Sequence, residues 1–348
     1  MAFIEKNEDT AANNKQHLNL STLAYEVISS DMFAFGEEKR SGFINRIFSH
    51  FYPDAEASIA RTMNHLNGEL SKLLSDVSGD DKTKKRIVDR LLSQKEDELI
   101  KKAESYDKGK LFKFWLNKSN LEYLTEISSE CSEDKYYTKR GKYIKSVIEE
   151  YARLPYVERE RVYFRPFIDT IRYSIKEERQ LRIVTGSDII YSVYPYEILC
   201  DPLSTANYLV GYCRQYDCPE GEKIPCSFRI SALKSIKVEK SKSAFLKESD
   251  KKKLSELISI RGVQFMIGNE SKIHVRFTEN GINKYHRQSH LRPRLIEKTD
   301  EKTYIFQCTA AQAEFYFFKF GKDVEILSPP DLRQKFKMMY GDAAKIYN

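Results

Sequence analysis

Tyr194-Pro195-Tyr196-Glu197-Ile198-Leu199, Asn207-Tyr208-Leu209-Val210-Gly211-Tyr212 and Ser227-Phe228-Arg229-Ile230 are three apolar-rich runs within the stretch 183–236. In each, Tyr, Ile, Val or Phe alternates with polar residues. Asp201-Pro202, the segment 217–221 and Pro225 break the chain between them. Period-two alternation bounded by turn-formers predicts half-buried β-strands. Several short strands at such tight spacing predict a small closed β-barrel.

Outward from this core, 348 residues leave room for two or three domains in a multi-domain α+β chain. Apolar residues make up 41%, enough for ordinary cores, and charged residues 31%, with a mean hydropathy of −0.57. No apolar run approaches bilayer length and the first residues carry no apolar signal core, so no membrane contact and a cytoplasmic location are expected. The net charge of +7 is unevenly spread. Residues 1–80 hold 7 Lys/Arg against 12 Asp/Glu, residues 81–154 hold 18 against 14, 155–245 hold 14 against 12, and 246–348 hold 19 against 13. A basic middle and C-terminal part permit phosphate binding.

Residues 1–14 are polar and aperiodic, and are expected to be a disordered tail. His17-Leu18-Asn19-Leu20-Ser21 alternates like a short strand. A helical stripe follows at Leu23, Val27, Ile28, Met32 and Phe33, then a second at Phe43, Ile44, Ile47, Phe48 and Phe51. Strand, helix, turn, helix is the order of a ribbon-helix-helix unit, placed at 15–53. Such a unit is expected to pair its strand with that of a second copy. Leu18 and Leu20 then face inward, while Lys15, His17, Asn19 and Ser21 face a nucleic-acid groove. An acidic helical module that only dimerises is the other reading, because a phosphate binder usually shows a local cationic surplus.

Residues 54–154 read as a helical linker, with stripes at Ile59, Met63, Leu66, Leu70, Leu73 and Leu74 and at Ile87, Leu91, Leu92, Leu99 and Ile100. Gly79-Asp80-Asp81 and the segment 128–134 read as hinges. After residue 245, a lysine-rich connector leads to alternating strands and helices whose order suggests a ferredoxin-like α+β domain. No internal repeat is visible.

Catalytic motifs are missing: there is no phosphate-cradling Gly-rich loop, no GxSxG and no HExxH. The six cysteines form no CxxC pair and read as reduced, buried thiols. His286 and His290, spaced i,i+4, lack a third ligand nearby, so no metal and no other cofactor is expected. The chain reads as a binder and not as an enzyme.

The stretch 183–236 resembles the WYL domain, an Sm-like barrel of bacterial regulators that sense nucleic acid or nucleotides, and residues 155–245 are identified with it. The signature triplet here is Asn207-Tyr208-Leu209, with Asn in place of Trp. Relatives continue Arg-Leu-Asp-Arg-Ile where this chain has Arg229-Ile230-Ser231-Ala232-Leu233, one Arg fewer. The resemblance implies an anion-binding cluster of Tyr, Ser and basic residues. Carried onto this chain it falls on Tyr208 and Arg229, with Arg182, Ser192 and Tyr194 from earlier strands. Arg forks onto phosphate and Tyr stacks on a base. A barrel-core role for Tyr208 and a surface ion pair for Arg229 are the alternatives. Arg287, Arg292 and Arg294 are candidates to extend a phosphate track.

Phe320-Gly321-Lys322-Asp323-Val324-Glu325-Ile326-Leu327-Ser328-Pro329 looks like the extension that follows many WYL barrels and commonly dimerises, here at 246–348. In this order the parts resemble the WYL accessory proteins encoded beside type VI-D CRISPR–Cas effectors, an impression that the polar joint Leu154 to Arg161 strengthens. That resemblance implies a homodimer that binds single-stranded RNA and stimulates an RNA-guided ribonuclease. A repressor whose ribbon binds DNA and whose barrel senses a nucleotide is the alternative, and a protein-binding scaffold is a third.

Overall fold

The computed structural model describes residues 14–55, 59–75, 77–104, 109–130, 140–201, 205–218 and 220–347. It is mixed α and β with antiparallel sheets, and it divides into two units, 1–165 and 166–348. The expected tail at 1–14 falls outside the described residues except for Asn14, as does the 131–134 part of the second hinge.

In the first unit, β1 (Lys15–Leu20) leads into α1 (Thr22–Ala34) and α2 (Arg40–Phe51). A helix pair follows, α3 (Ile59–Ser75) and α4 (Asp81–Glu104), and then a strand that the linker reading missed, β2 (Lys110–Trp115). The unit closes with α5 (Lys118–Glu130), α6 (Arg140–Arg153) and α7 (Tyr156–Tyr163).

β2 pairs antiparallel with β1 in the register Lys15↔Trp115, His17↔Lys113 and Asn19↔Leu111. Strand, helix, helix therefore occurs twice in one chain, and the second copy supplies the ribbon partner expected from another molecule. The physical reason lies in Phe112 and Phe114. They alternate with Leu111, Lys113 and Trp115, and they enter the same core as Leu18 and Leu20. Around this ribbon pack Phe43, Ile44, Ile47 and Phe48 of α2 with Tyr143, Val147, Ile148 and Tyr151 of α6. β2 and α6 thus contribute to the core and are no linker.

The inner face of α1 differs from the apolar stripe in the sequence. Ala24, Ile28 and Asp31 are buried, whereas Leu23 is half exposed and Phe33 is 91% exposed. Asp31 belongs to the inner face because Arg159 meets it. The guanidinium donates from Nε at 2.7 Å and from Nη2 at 3.2 Å, and the Tyr151 hydroxyl donates to the same carboxylate at 2.8 Å. Burial, together with this carboxylate, pushes the Tyr151 phenol well above its usual range. Burial works to lower the Arg159 guanidinium, but the hydrogen bonds and charge of Asp31, with Tyr151 and Tyr156 beside it, together raise it.

Ser21 is corrected likewise. It follows β1, is buried, and caps α1 by accepting from Ala24 N at 3.1 Å. Its own N–H and hydroxyl donate to the fully buried Glu149 carboxylate, each at 2.6 Å. In the α3–α4 pair, Val88 and Leu99 are buried while Leu73, Ile87 and Leu91 lie exposed.

The second unit begins one residue into α8 (Arg165–Lys176) and continues with a five-stranded antiparallel sheet. Its strands are β3 (Arg179–Thr185), β4 (Ile190–Cys200), β5 (Asn207–Gln215), β6 (Ile224–Arg229) and β7 (Leu233–Ser243). The order is β6-β5-β4-β3-β7, and a one-turn 3-10 segment, Ile230–Ala232, joins β6 to β7. Among the described residues, no ladder joins the edge strands β6 and β7, and the paired strands show no closed barrel. Leu181, Ile183, Val193, Leu209, Cys213 and Cys226 fill its inner face.

Gly211 holds β4 and β5 in close approach. A Cβ there would lie 2.1 Å from the Tyr194 carbonyl oxygen, beside the register shift between Pro195 and Glu197. Gly211→Ala is therefore expected to cost about 1–3 kcal/mol through forced backbone displacement. The urea midpoint of unfolding reads this directly, and an unchanged midpoint would show that β4 has room to move.

The presumed connector after β7 is largely a helix, α9 (Glu248–Arg261), with Leu254 fully buried. The remaining elements are β8 (Glu270–Phe277), α10 (Glu279–Arg287), β9 (Arg294–Lys298), β10 (Thr303–Thr309), α11 (Ala310–Phe317), β11 (Val324–Ser328) and α12 (Pro330–Lys345). Up to β11 this is a βαββαβ order, and the antiparallel sheet runs β11-β8-β10-β9. Phe277, Phe306, Phe317 and Phe320 form the centre of its core.

Candidate nucleic-acid interface

Successive side chains on a strand point to opposite faces, so the register fixes which residues share the outer face of the five-stranded sheet. Arg182 of β3 pairs with Lys237 of β7 on one side and with Ser192 of β4 on the other. Ser192 pairs in turn with Arg214 of β5. Lys237, Arg182, Ser192 and Arg214 thus form one row across four strands, with three cations.

Tyr216, just past β5, lies against this row because its N–H donates to the Ile190 carbonyl at 3.0 Å. The Arg182 guanidinium sits 4.6 Å from the Tyr216 ring centroid, and the Lys242 ammonium sits 5.0 Å from it. Lys242 also faces the Glu239 carboxylate at 4.0 Å. Arg182 Nε is buried without a hydrogen-bond partner among the described residues. A guanidinium donor in that state is costly unless an acceptor arrives.

The structure divides the five expected sheet residues. Arg182 and Ser192 meet in the row just described. Tyr208 and Arg229 are direct cross-strand partners on β5 and β6, on the same outer face. Arg214 lies six positions along β5 from Tyr208, roughly 20 Å at strand rise. Tyr208 is half-buried, and Arg229 is exposed with its Nε donating to Ser231 Oγ at 2.9 Å.

Tyr194, expected as a ligand contact, is a core residue. It is 4% exposed and packs with Tyr212, Leu246, Leu254 and Met266, because α9 and the segment before it cover this part of the sheet. Lys223 Nζ lies 3.7 Å from its ring centroid. Ser192 is also buried, which corrects its reading as an open contact.

Arg292 is corrected too. Its guanidinium donates to the carbonyls of Tyr285 at 2.6 Å and Gln288 at 3.1 Å and lies over the Tyr285 ring, so it fastens the end of α10. Arg287 and Arg294 remain exposed. His290 lies beyond the end of α10 at Arg287, so it shares no helix face with His286. Among the described residues, no cluster of three or more His, Cys, Asp or Glu could hold a metal.

Cys213, Cys226 and Cys308 are buried, while Cys200 and Cys218 are exposed against expectation, and Cys131 lies outside the described residues. Burial and the neighbouring Cys213 push the Cys226 thiol well up, and burial raises that of Cys308 to about 12. Sequence reading missed Arg214, Tyr216, Lys237 and Lys242. The alternation of Tyr212, Arg214 and Tyr216 is visible in the chain, but the pairing that places Arg182 beside them is not.

Among the described residues, no helix is long and apolar enough to cross a membrane. No protein-family model and no curated protein matches the chain. Among solved structures, one described as the crystal structure of a CRISPR Cas-related protein matches 100% of this chain and 97% of its own, at 25% identity and a TM-score of 0.73. Proteasome accessory factor B/C of Arthrobacter aurescens aligns with 70% of this chain and 40% of its own, at 16% identity and a TM-score of 0.31, too loose a likeness to carry weight. The fold of this chain is therefore, along its whole length, similar to that of a CRISPR Cas-related protein.

Proposed function

We propose that this chain is a non-catalytic accessory protein that binds single-stranded RNA and stimulates the RNA-guided ribonuclease effector of a type VI-D CRISPR–Cas system. The observation that carries the reading is the row Lys237, Arg182, Ser192, Arg214 with Tyr216 against it. Guanidinium forks bind phosphate oxygens, and a tyrosine beside them offers its ring to an unpaired base. The likeness to a CRISPR Cas-related protein supports the biological setting. The WYL resemblance supplies the finer terms: RNA as ligand, a homodimer, and the effector as partner. Stimulation then arises because bound RNA is held at high local concentration near the effector.

A repressor that reads duplex DNA is the second reading, favoured by a ribbon that is complete within one chain. Anisotropy titrations of the full-length chain separate the two. Mixed-sequence single-stranded RNA is expected to bind more tightly than random duplex DNA, and the added chain is expected to raise RNA cleavage by the cognate effector. Tight binding to one palindromic duplex, with no effect on cleavage, would support the repressor instead.

A further inference from the structure

The ribbon of the first unit has an outer face that the sheet reading leaves unused. Lys15, His17 and Asn19 of β1 and Leu111, Lys113 and Trp115 of β2 point outward, and all six are exposed. No carboxylate occurs among them, although residues 1–80 are acidic in total. Trp115 is the chain's only tryptophan and stays 44% exposed.

Its position is fixed from behind. The Trp115 backbone N–H donates to Ser41 Oγ at 3.0 Å, and its backbone carbonyl accepts from Asn45 Nδ2 at 2.8 Å, both from α2. The Lys15 ammonium lies 5.5 Å from the indole centroid. A half-open indole on a backbone held in place, with two lysines on the same face, offers stacking and phosphate neutralisation together.

We propose that this outer ribbon face binds a single-stranded nucleic acid, with Trp115 stacking on an unpaired base and Lys15 and Lys113 meeting the adjacent phosphates. Unpaired bases are favoured over a duplex groove because a duplex base has both faces covered by its neighbours, which leaves an indole nothing to stack on. The ribbon contact stands independently of the row at Arg182.

The lone tryptophan provides the assay. Titrating the full-length chain with mixed-sequence single-stranded RNA is expected to quench Trp115 emission to saturation, whereas duplex DNA of the same sequence quenches weakly. In a chain already carrying Arg182→Ala and Arg214→Ala, Trp115→Ala is expected to lower the remaining RNA affinity about tenfold, within the range of one stacked base. Trp115→Phe, which keeps a ring, restores most of it, so a structural loss is told apart from a stacking loss. Unquenched emission at RNA saturation would overturn the proposal, and so would stronger quenching by the duplex. Quenching that survives the Arg182 and Arg214 changes supports the ribbon even if the sheet contributes nothing.

Discussion

Asp31→Ala is expected to destabilise the first unit by about 3–5 kcal/mol, because it leaves a largely buried guanidinium without its counter-ion. Asp31 is 1% exposed, and three donors converge on its carboxylate, two from Arg159 and one from Tyr151. Water does not replace those partners in the core. Arg159 also donates to the Leu154 carbonyl at 2.6 Å, so it stays anchored when its carboxylate is removed. Replacing Asp31 and Arg159 together by Leu and Met is expected to cost far less, since no charge is then stranded. Urea unfolding of the two variants beside the unaltered chain measures this. A single-variant loss below about 1 kcal/mol would mean that the pair is solvated in solution.

The second large effect concerns function. Arg182→Ala combined with Arg214→Ala is expected to weaken single-stranded RNA binding by about 3 kcal/mol, on the order of a hundredfold, as two charge-assisted phosphate contacts are lost. For Arg182→Ala alone, stability should change little or rise. Arg182 Nε is buried without a partner, so its removal relieves a cost that the folded chain carries. A structural arginine behaves in the opposite way. Arg292→Ala should loosen the end of α10, because that side chain holds the Tyr285 and Gln288 carbonyls.

Local periodicity made much of this fold legible. The apolar face of α2, the strands of the five-stranded sheet and the alternation of elements after residue 270 all follow from spacing of 3.6 or 2 residues. The ribbon partner was hidden because Lys110-Leu111-Phe112-Lys113-Phe114-Trp115 lies about ninety residues from β1, and its short alternation sits between long helices. Asp31 was hidden for the reason that makes it important. A carboxylate reads as solvent-facing until a distant Arg159 comes to meet it, so of the α1 stripe Ile28, Val27 and Met32 pack on the core while Leu23 and Phe33 turn outward. Ser21 is similar: its hydroxyl looks available to a groove, yet its partner, Glu149, lies on α6. At the sheet, Arg182 and Arg229 are visible as residue types, but only register shows that they sit at different ends of one face. Tyr194 reads as a ligand contact until α9 is seen to cover it.

The salt dependence of RNA binding tests the row at Arg182 most directly. For single strands, each phosphate neutralised contributes about 0.7 to the slope of log K against log salt, so losing two contacts should flatten it by about 1.4. The expected result is a shallower slope and weaker binding for the Arg182→Ala, Arg214→Ala chain with its unfolding midpoint preserved. An unaltered slope and affinity in that folded variant would contradict the assignment of the outer sheet face to nucleic acid.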